Sequence, residues 1–252
     1  MDVNSYLERI GYKGPLDLTA DTLSGLHYAH LLNVPFENLD IHLGQPILLN
    51  EDHLFEKIVT HRRGGFCYEL NGLFAVLLGE LGFKVDLLSA RVFENGEFGP
   101  EFDHLTLRVR LEDDWLVDVG YGDNFLKPLR LFETGAQVRS GIAYRLEPGS
   151  SDWKLLEMDG QSKWRSSYCF SLNPRRFSDF NNMCHYHQTS PKSHFTQKRL
   201  CTRATLKGRI TLRDRRLIIT KDGQRSEKVL VDEKEFSSVL KNYFGIRLPK
   251  LK

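Results

Sequence analysis

HRRGGFCYELNGLFAVLLGELGF, residues 61–83, runs from two glycines through a single cysteine into an apolar segment of helical spacing. Leu70, Leu73, Phe74, Leu77, Leu78 and Leu81 recur three and four residues apart, the period of one buried helix face, and Gly82 stands where such a helix ends. Cys67 therefore opens the helix, among backbone N–H groups without intrahelical partners and at the positive end of the helix dipole. That setting lowers a thiol pKa and favours the nucleophilic thiolate. The same position also suits a small core residue, the commonest role of a lone free cysteine.

Working outward, DLTADTLSGLHYAHLLNVPF predicts an earlier helix, with Leu23, Leu26, His30 and Leu31 at helical spacing, Thr19 or Asp21 as cap and Pro35 as stop. Residues 1–83 thus form a helical unit. From Lys84 the period changes to two: KVDLLSARVF, HLTLRVRL (104–111) and WLVDVG (115–120) predict strands, the last two joined by the acidic turn Glu112–Asp114. AYRLEPGSSDWKLLEM continues the alternation through a Pro-Gly-Ser turn. A central antiparallel, barrel-like β-unit is expected over 84–190.

Residues 171–203 carry weak periodicity and are expected to be a long connection. RLIIT and EKVLV then flank an Asp222-Gly223 hairpin turn. A closing helix is predicted with Asp232 as cap and Phe236, Val239, Leu240 and Tyr243 on its apolar face, ending at Gly245. The last unit, 191–252, is therefore of α/β type. The fold class is α+β and multi-domain.

The chain has 252 residues, 40% of them hydrophobic, enough for a sizeable core. Its 35 Lys+Arg against 33 Asp+Glu give a net charge of +2, with no global field for nucleic acid or an anionic membrane. No secretory signal and no apolar run of membrane-spanning length occur, so a cytoplasmic location is expected. The four cysteines, Cys67, Cys169, Cys184 and Cys201, form no C-x-x-C pair and fit a reducing compartment. Cys184, His185, His187 and Cys201 match no standard zinc spacing, and no metal is expected.

A cysteine nucleophile needs a base and a group to orient that base. His104 heads the HLTLRVRL strand, and Asp118 lies between Val117 and Val119, where a carboxylate is costly to bury without a partner. With the turn at 112–114, residue 111 pairs with 115 and residue 118 with 108. His104 then faces the same way as Asp118 but lies roughly 13 Å away at about 3.3 Å per residue. A regular hairpin of that register leaves the pair apart.

HRRGGFCYELNG, VPFENLDIH (34–42), DHLTLRVR followed by WLVDVGYG, and HQTSPKSHF (187–195) together resemble the arylamine N-acetyltransferases, in that family's order along the chain. The resemblance implies a triad of Cys67, His104 and Asp118 in a cysteine-protease-like core, under an N-terminal helical bundle, a β-barrel and an α/β lid. It implies transfer of an acetyl group from acetyl-CoA through an acetyl-cysteine to an arylamine, arylhydrazine or N-hydroxyarylamine. Phe36 and Tyr121 match acceptor-pocket positions; Tyr186, Ser193 and the backbone of Gly122 match CoA-binding ones. The basic KGRITLRDRR segment serves either CoA phosphates or a solvated face. A hydrolase or transglutaminase-like enzyme on the same triad, and an inactive CoA- or aromatic-binding module, are the competing readings.

Overall fold

The computed structural model describes residues 1–248, so the last four residues of the 191–252 unit lie outside the described residues. The first part is helical as expected, with helices at Val3–Ile10, Ala20–Asn33, Leu39–His42 and Glu51–Phe55, a π-helical turn at Glu56–Thr60, and the long helix Cys67–Glu80. Thr19, not Asp21, caps the second of these by accepting the Thr22 N–H at 3.2 Å. Gly82, with φ +98°, ends the Cys67 helix. Every residue from Cys67 to Phe74 is buried, so this helix is the central post of the fold rather than a surface helix with one wet face.

The helical region also holds a strand that no periodicity could reveal. Phe36–Glu37 pairs antiparallel with Leu200–Thr205, placing Phe36 opposite Thr202. It thereby becomes the edge of a five-stranded sheet completed by Gly208–Arg213, Arg216–Lys221 and Gln224–Val229. Two residues are too few to show an alternation, and their partners, Thr202 and Cys201, lie far along the chain.

The central strands form a second antiparallel sheet. Its order runs Leu129–Arg130, Asp114–Val117, His104–Arg110, Lys84–Glu94, Trp164–Arg175, Trp153–Met158, Ile142–Pro148, Gln137–Arg139, with Glu97–Phe98 beside Lys84–Glu94. Its two end strands meet through a side chain. The Gln137 amide accepts the Arg130 N–H and donates to the Arg130 carbonyl, both at 2.8 Å, a two-bond substitute for a backbone rung. The sheet is thus nearly closed into a barrel, and its free edges are reduced.

Three expectations are corrected. Residues 171–203 are not a long connection: the Trp164 strand runs to Arg175, followed by a 3-10 turn at Phe177–Phe180 and helices Asn181–Thr189 and His194–Gln197. The Asn181 helix buries only Cys184 and His187, too small a face to register as a period. In the closing helix Asp232 caps as expected, accepting the Glu235 N–H at 2.8 Å. Its last turn, Leu240–Phe244, is π-helical, and the wider turn rotates Phe244 inward while Tyr243 is 36% exposed.

The third correction concerns the hairpin that carries the candidate base. Arg110 pairs with Asp114 and Leu107 with Val117, so the turn is Leu111–Asp113 rather than 112–114. Leu111 continues the alternation of Leu105, Leu107 and Val109 and packs on the same core, but it sits in the turn, its N–H donating to the Asp113 carbonyl at 2.9 Å. Carried past Val117, this register sets Asp118 against Thr106 instead of Arg108. His104 is then a diagonal neighbour on the same face, within side-chain reach. No bulge is needed.

Candidate active site

The Cys67 helix packs against the Lys84–Glu94 and His104–Arg110 strands, and that contact brings the three candidate residues together. His104 Nε2 lies 2.7 Å from Asp118 Oδ2, and both side chains are almost wholly buried. Cys67 and His104 line one cleft of about 350 Å³, with Phe36, Tyr121, Gly122 and Phe195 on its walls. That volume is within the range of sites for small organic ligands. Both Phe36 and Tyr121 thus fall on the cleft, Tyr121 edge-on to the His104 ring at 5.4 Å between centroids.

Two glycines make the approach possible. A Cβ on Gly64 would meet the Pro35 carbonyl oxygen at 2.0 Å, so the double glycine lets the chain pass against the Phe36 strand. A Cβ on Gly120 would meet the Cys67 Cα at 2.8 Å, so the Asp118 loop closes directly over the helix start.

Asp118 is held from several sides. Burial by itself would raise its carboxyl, but the facing His104, hydrogen bonds from Asn71 and the Gly120 N–H hold it below the ordinary carboxylate value. Asn71 Nδ2 donates to Asp118 Oδ1 at 2.9 Å and to the Leu105 carbonyl at 2.6 Å, while its Oδ1 accepts the Val119 N–H at 2.8 Å. Sequence reasoning gave Asn71 no such role. The available signal was its spacing: four residues after Cys67, it shares that residue's helix face.

His27 was likewise missed. Its Nδ1 lies 3.0 Å from the Leu126 carbonyl, and its Nε2 lies 3.1 Å from the Asp118 carbonyl and 3.3 Å from the Asp118 N–H; a neutral ring donates from Nδ1 to Leu126 and accepts that N–H at Nε2. Burial pushes its pKa down to about 4.

Glu69, in the first turn of the Cys67 helix, caps it by accepting the Phe66 N–H at 3.0 Å. Behind it lies a chain of ions. Lys57 Nζ is 2.7 Å from both Glu69 Oε1 and Asp40 Oδ2, and Arg63 Nη2 is 2.7 Å from Asp40 Oδ1 and 2.8 Å from Glu37 Oε1. Burial raises Glu69 to about 7 against the pull of Lys57.

The thiolate expected at the helix start is not stabilised by the helix alone. Burial pushes the Cys67 thiol well up, and the Leu105 N–H opposes this. Desolvation outweighs that hydrogen bond at a residue only 3% exposed.

Of the remaining predicted residues, Gly122 is on the cleft, and its carbonyl accepts from Arg209. Arg209 comes from the KGRITLRDRR segment and also pairs with Asp123 at 2.8 Å, whereas Arg216 of the same segment is exposed. Tyr186 and Ser193 line an adjoining groove of about 470 Å³ that shares Glu94, Asp103 and His194 with the cleft. Ser193 Oγ accepts the Phe195 N–H at 3.3 Å, so it also caps a short helix. Among the described residues no group of three or more His, Cys, Asp or Glu could hold a metal ion, and no helix is long and apolar enough to cross a membrane.

Comparison with known proteins gives a consistent result. A family model described as N-acetyltransferase matches residues 19–252. An arylamine N-acetyltransferase of Escherichia coli is 35% identical over 97% of this chain and 88% of its own. The structure of an arylamine N-acetyltransferase from Salmonella typhimurium superposes with a TM-score of 0.93 at 33% identity, covering 99% of this chain and 93% of that one. The Mycobacterium marinum arylamine N-acetyltransferase in complex with CoA superposes with a TM-score of 0.90 at 34% identity, over 97% and 93% of the two chains.

Proposed function

The chain belongs to the arylamine N-acetyltransferase family of acyltransferases, whose acetyl donor is acetyl-CoA, and from that premise we propose a ping-pong transfer in which Cys67, His104 and Asp118 do the chemistry. The observation that carries this reading is the 2.7 Å contact between Asp118 and His104, which lines one cleft together with Cys67. The three units of residues 1–83, 84–190 and 191–252 then act as a helical bundle, a barrel and an α/β lid. The first two share a cysteine-protease-like core.

His104, as imidazolium, supplies the positive charge that the buried Cys67 sulfur requires, and Asp118 fixes its ring and stabilises that charge. The Cys67 sulfur attacks the thioester carbonyl carbon of acetyl-CoA, the bond to the CoA sulfur breaks, and CoA leaves as its thiol on taking up the His104 proton, which leaves that ring neutral. Cys67 now carries the acetyl group. The nitrogen of an arylamine, arylhydrazine or N-hydroxyarylamine then attacks the same carbonyl carbon. Its proton passes to His104, and Cys67 departs as the thiolate. The backbone N–H of Cys67 is positioned at the helix start to receive the developing oxyanion. Phe36 and Tyr121 offer aromatic surface to an acceptor ring, while Tyr186, Ser193 and Gly122 lie along the route open to CoA.

The test is acetyl transfer from acetyl-CoA to a hydrazine or an aminosalicylate, with mass analysis of the peptide bearing Cys67. Wild type turns over and carries acetyl on Cys67 when no acceptor is present; Cys67→Ala does neither. Turnover that survives Cys67→Ala would overturn the mechanism.

A further inference from the structure

Beside the cleft lies a second histidine–aspartate contact that the mechanism leaves unused. His187 is 3% exposed, on the inward face of the Asn181–Thr189 helix. Its Nδ1 is 3.0 Å from Ser193 Oγ and its Nε2 3.2 Å from Asp103 Oδ1, the latter off the line of a hydrogen bond, so the buried Nε2 has the carboxylate as its polar neighbour without a formed bond. Asp103 immediately precedes His104 and lines the same cleft as Cys67. Its carboxylate is built in: Oδ2 accepts the Val92 N–H at 3.3 Å, and a Cβ on Gly99 would meet that oxygen at 2.5 Å.

A negative charge at this point opposes ionisation of the Cys67 sulfur, which burial already disfavours. Resting on the proposed role of Cys67, we infer that His187 is a positioning residue. Its Nε2 faces the Asp103 carboxylate and offsets part of that charge, so that the thiolate forms beside His104. The pair is otherwise faced by Cys67 and Tyr68 from the central helix, Glu94 from the barrel, His104, and His194 and Lys192 from the segment after the Asn181 helix. Of these only Glu94 adds negative charge at neutral pH, and it is exposed and therefore screened. The Tyr68 hydroxyl donates to the Asp103 main-chain carbonyl at 3.1 Å and leaves the carboxylate to His187.

The experiment follows the rate of Cys67 alkylation by iodoacetamide through a pH series, read by mass spectrometry of the Cys67 peptide, in the full chain. His187→Gln raises the midpoint by about 0.5–1 pH unit, because Asp103 is left uncompensated. Asp103→Asn lowers it by a similar amount, and the double variant matches Asp103→Asn. A structural role alone for His187 would shift the midpoint equally in both backgrounds, and that result would overturn the inference, as would equal midpoints in all four proteins. Wild type in which Cys67 does not alkylate at any pH would overturn the proposed mechanism, and this inference with it.

Discussion

On the helical side of the cleft, Cys67 is backed by ions: Lys57 and Arg63 thread through Glu37, Asp40 and Glu69, and Glu69 caps the helix that presents the thiol. On the barrel side, Asp118 is held first by His104 and then by uncharged donors, the Asn71 amide and the Gly120 N–H, with a neutral His27 on its backbone. The difference matches what each side must supply. The helix start has to be fixed in place without committing charge to the sulfur, so its ions pair with one another behind the helix. The barrel side has to keep one carboxylate charged in a dry setting, and neutral donors do that without competing for His104.

The largest expected effect comes from removing the one charge the barrel side protects. Asp118→Asn keeps the shape but loses the partner of His104, and acetyl transfer falls by about 10³- to 10⁴-fold with little change in melting temperature. A variant that kept activity within tenfold would show that the neutral cage does not serve the carboxylate's charge.

Breaking the ionic side costs stability first. Lys57→Met leaves Glu69 and Asp40 facing each other in a buried site and destabilises the fold by about 3–5 kcal/mol in denaturant titration. A loss below about 1 kcal/mol would reduce the network to ornament on the surface.

Acid should separate the two sides by sign. His27 has a folded pKa near 4 against an ordinary 6.5, so the unfolded chain takes up its proton first. Its contribution is complete above pH 6.5 and is lost as the pH falls toward 4, by about 3 kcal/mol in total. Glu69 runs the other way: its pKa is raised on folding from 4.5 to about 7, so acidification between those values favours the folded state. His27→Gln should therefore flatten the acid loss of stability between pH 6.5 and 4 measured by thermal unfolding, or reverse its direction. An unchanged slope would show that His27 is not carried neutral in the fold.

Much of this molecule is local and could be read from the chain. Periodicity and caps placed the Cys67 helix, its end at Gly82, the Thr19 and Asp232 starts, and most of the barrel strands, because each depends on residues within a turn or two of one another. The proposed triad could be named only through resemblance, since no local rule brings residue 67 to residues 104 and 118. Tertiary structure decided the rest. Leu111 carries the pattern of a strand and sits in the turn, its N–H bonded to the Asp113 carbonyl, and that displacement sets the register that joins His104 to Asp118. The Phe36 strand, the Gln137 closure of the barrel and the Asn71 bridge all depend on partners far along the chain. Side-chain type states what a residue can bond to, and only packing states which partner is within reach.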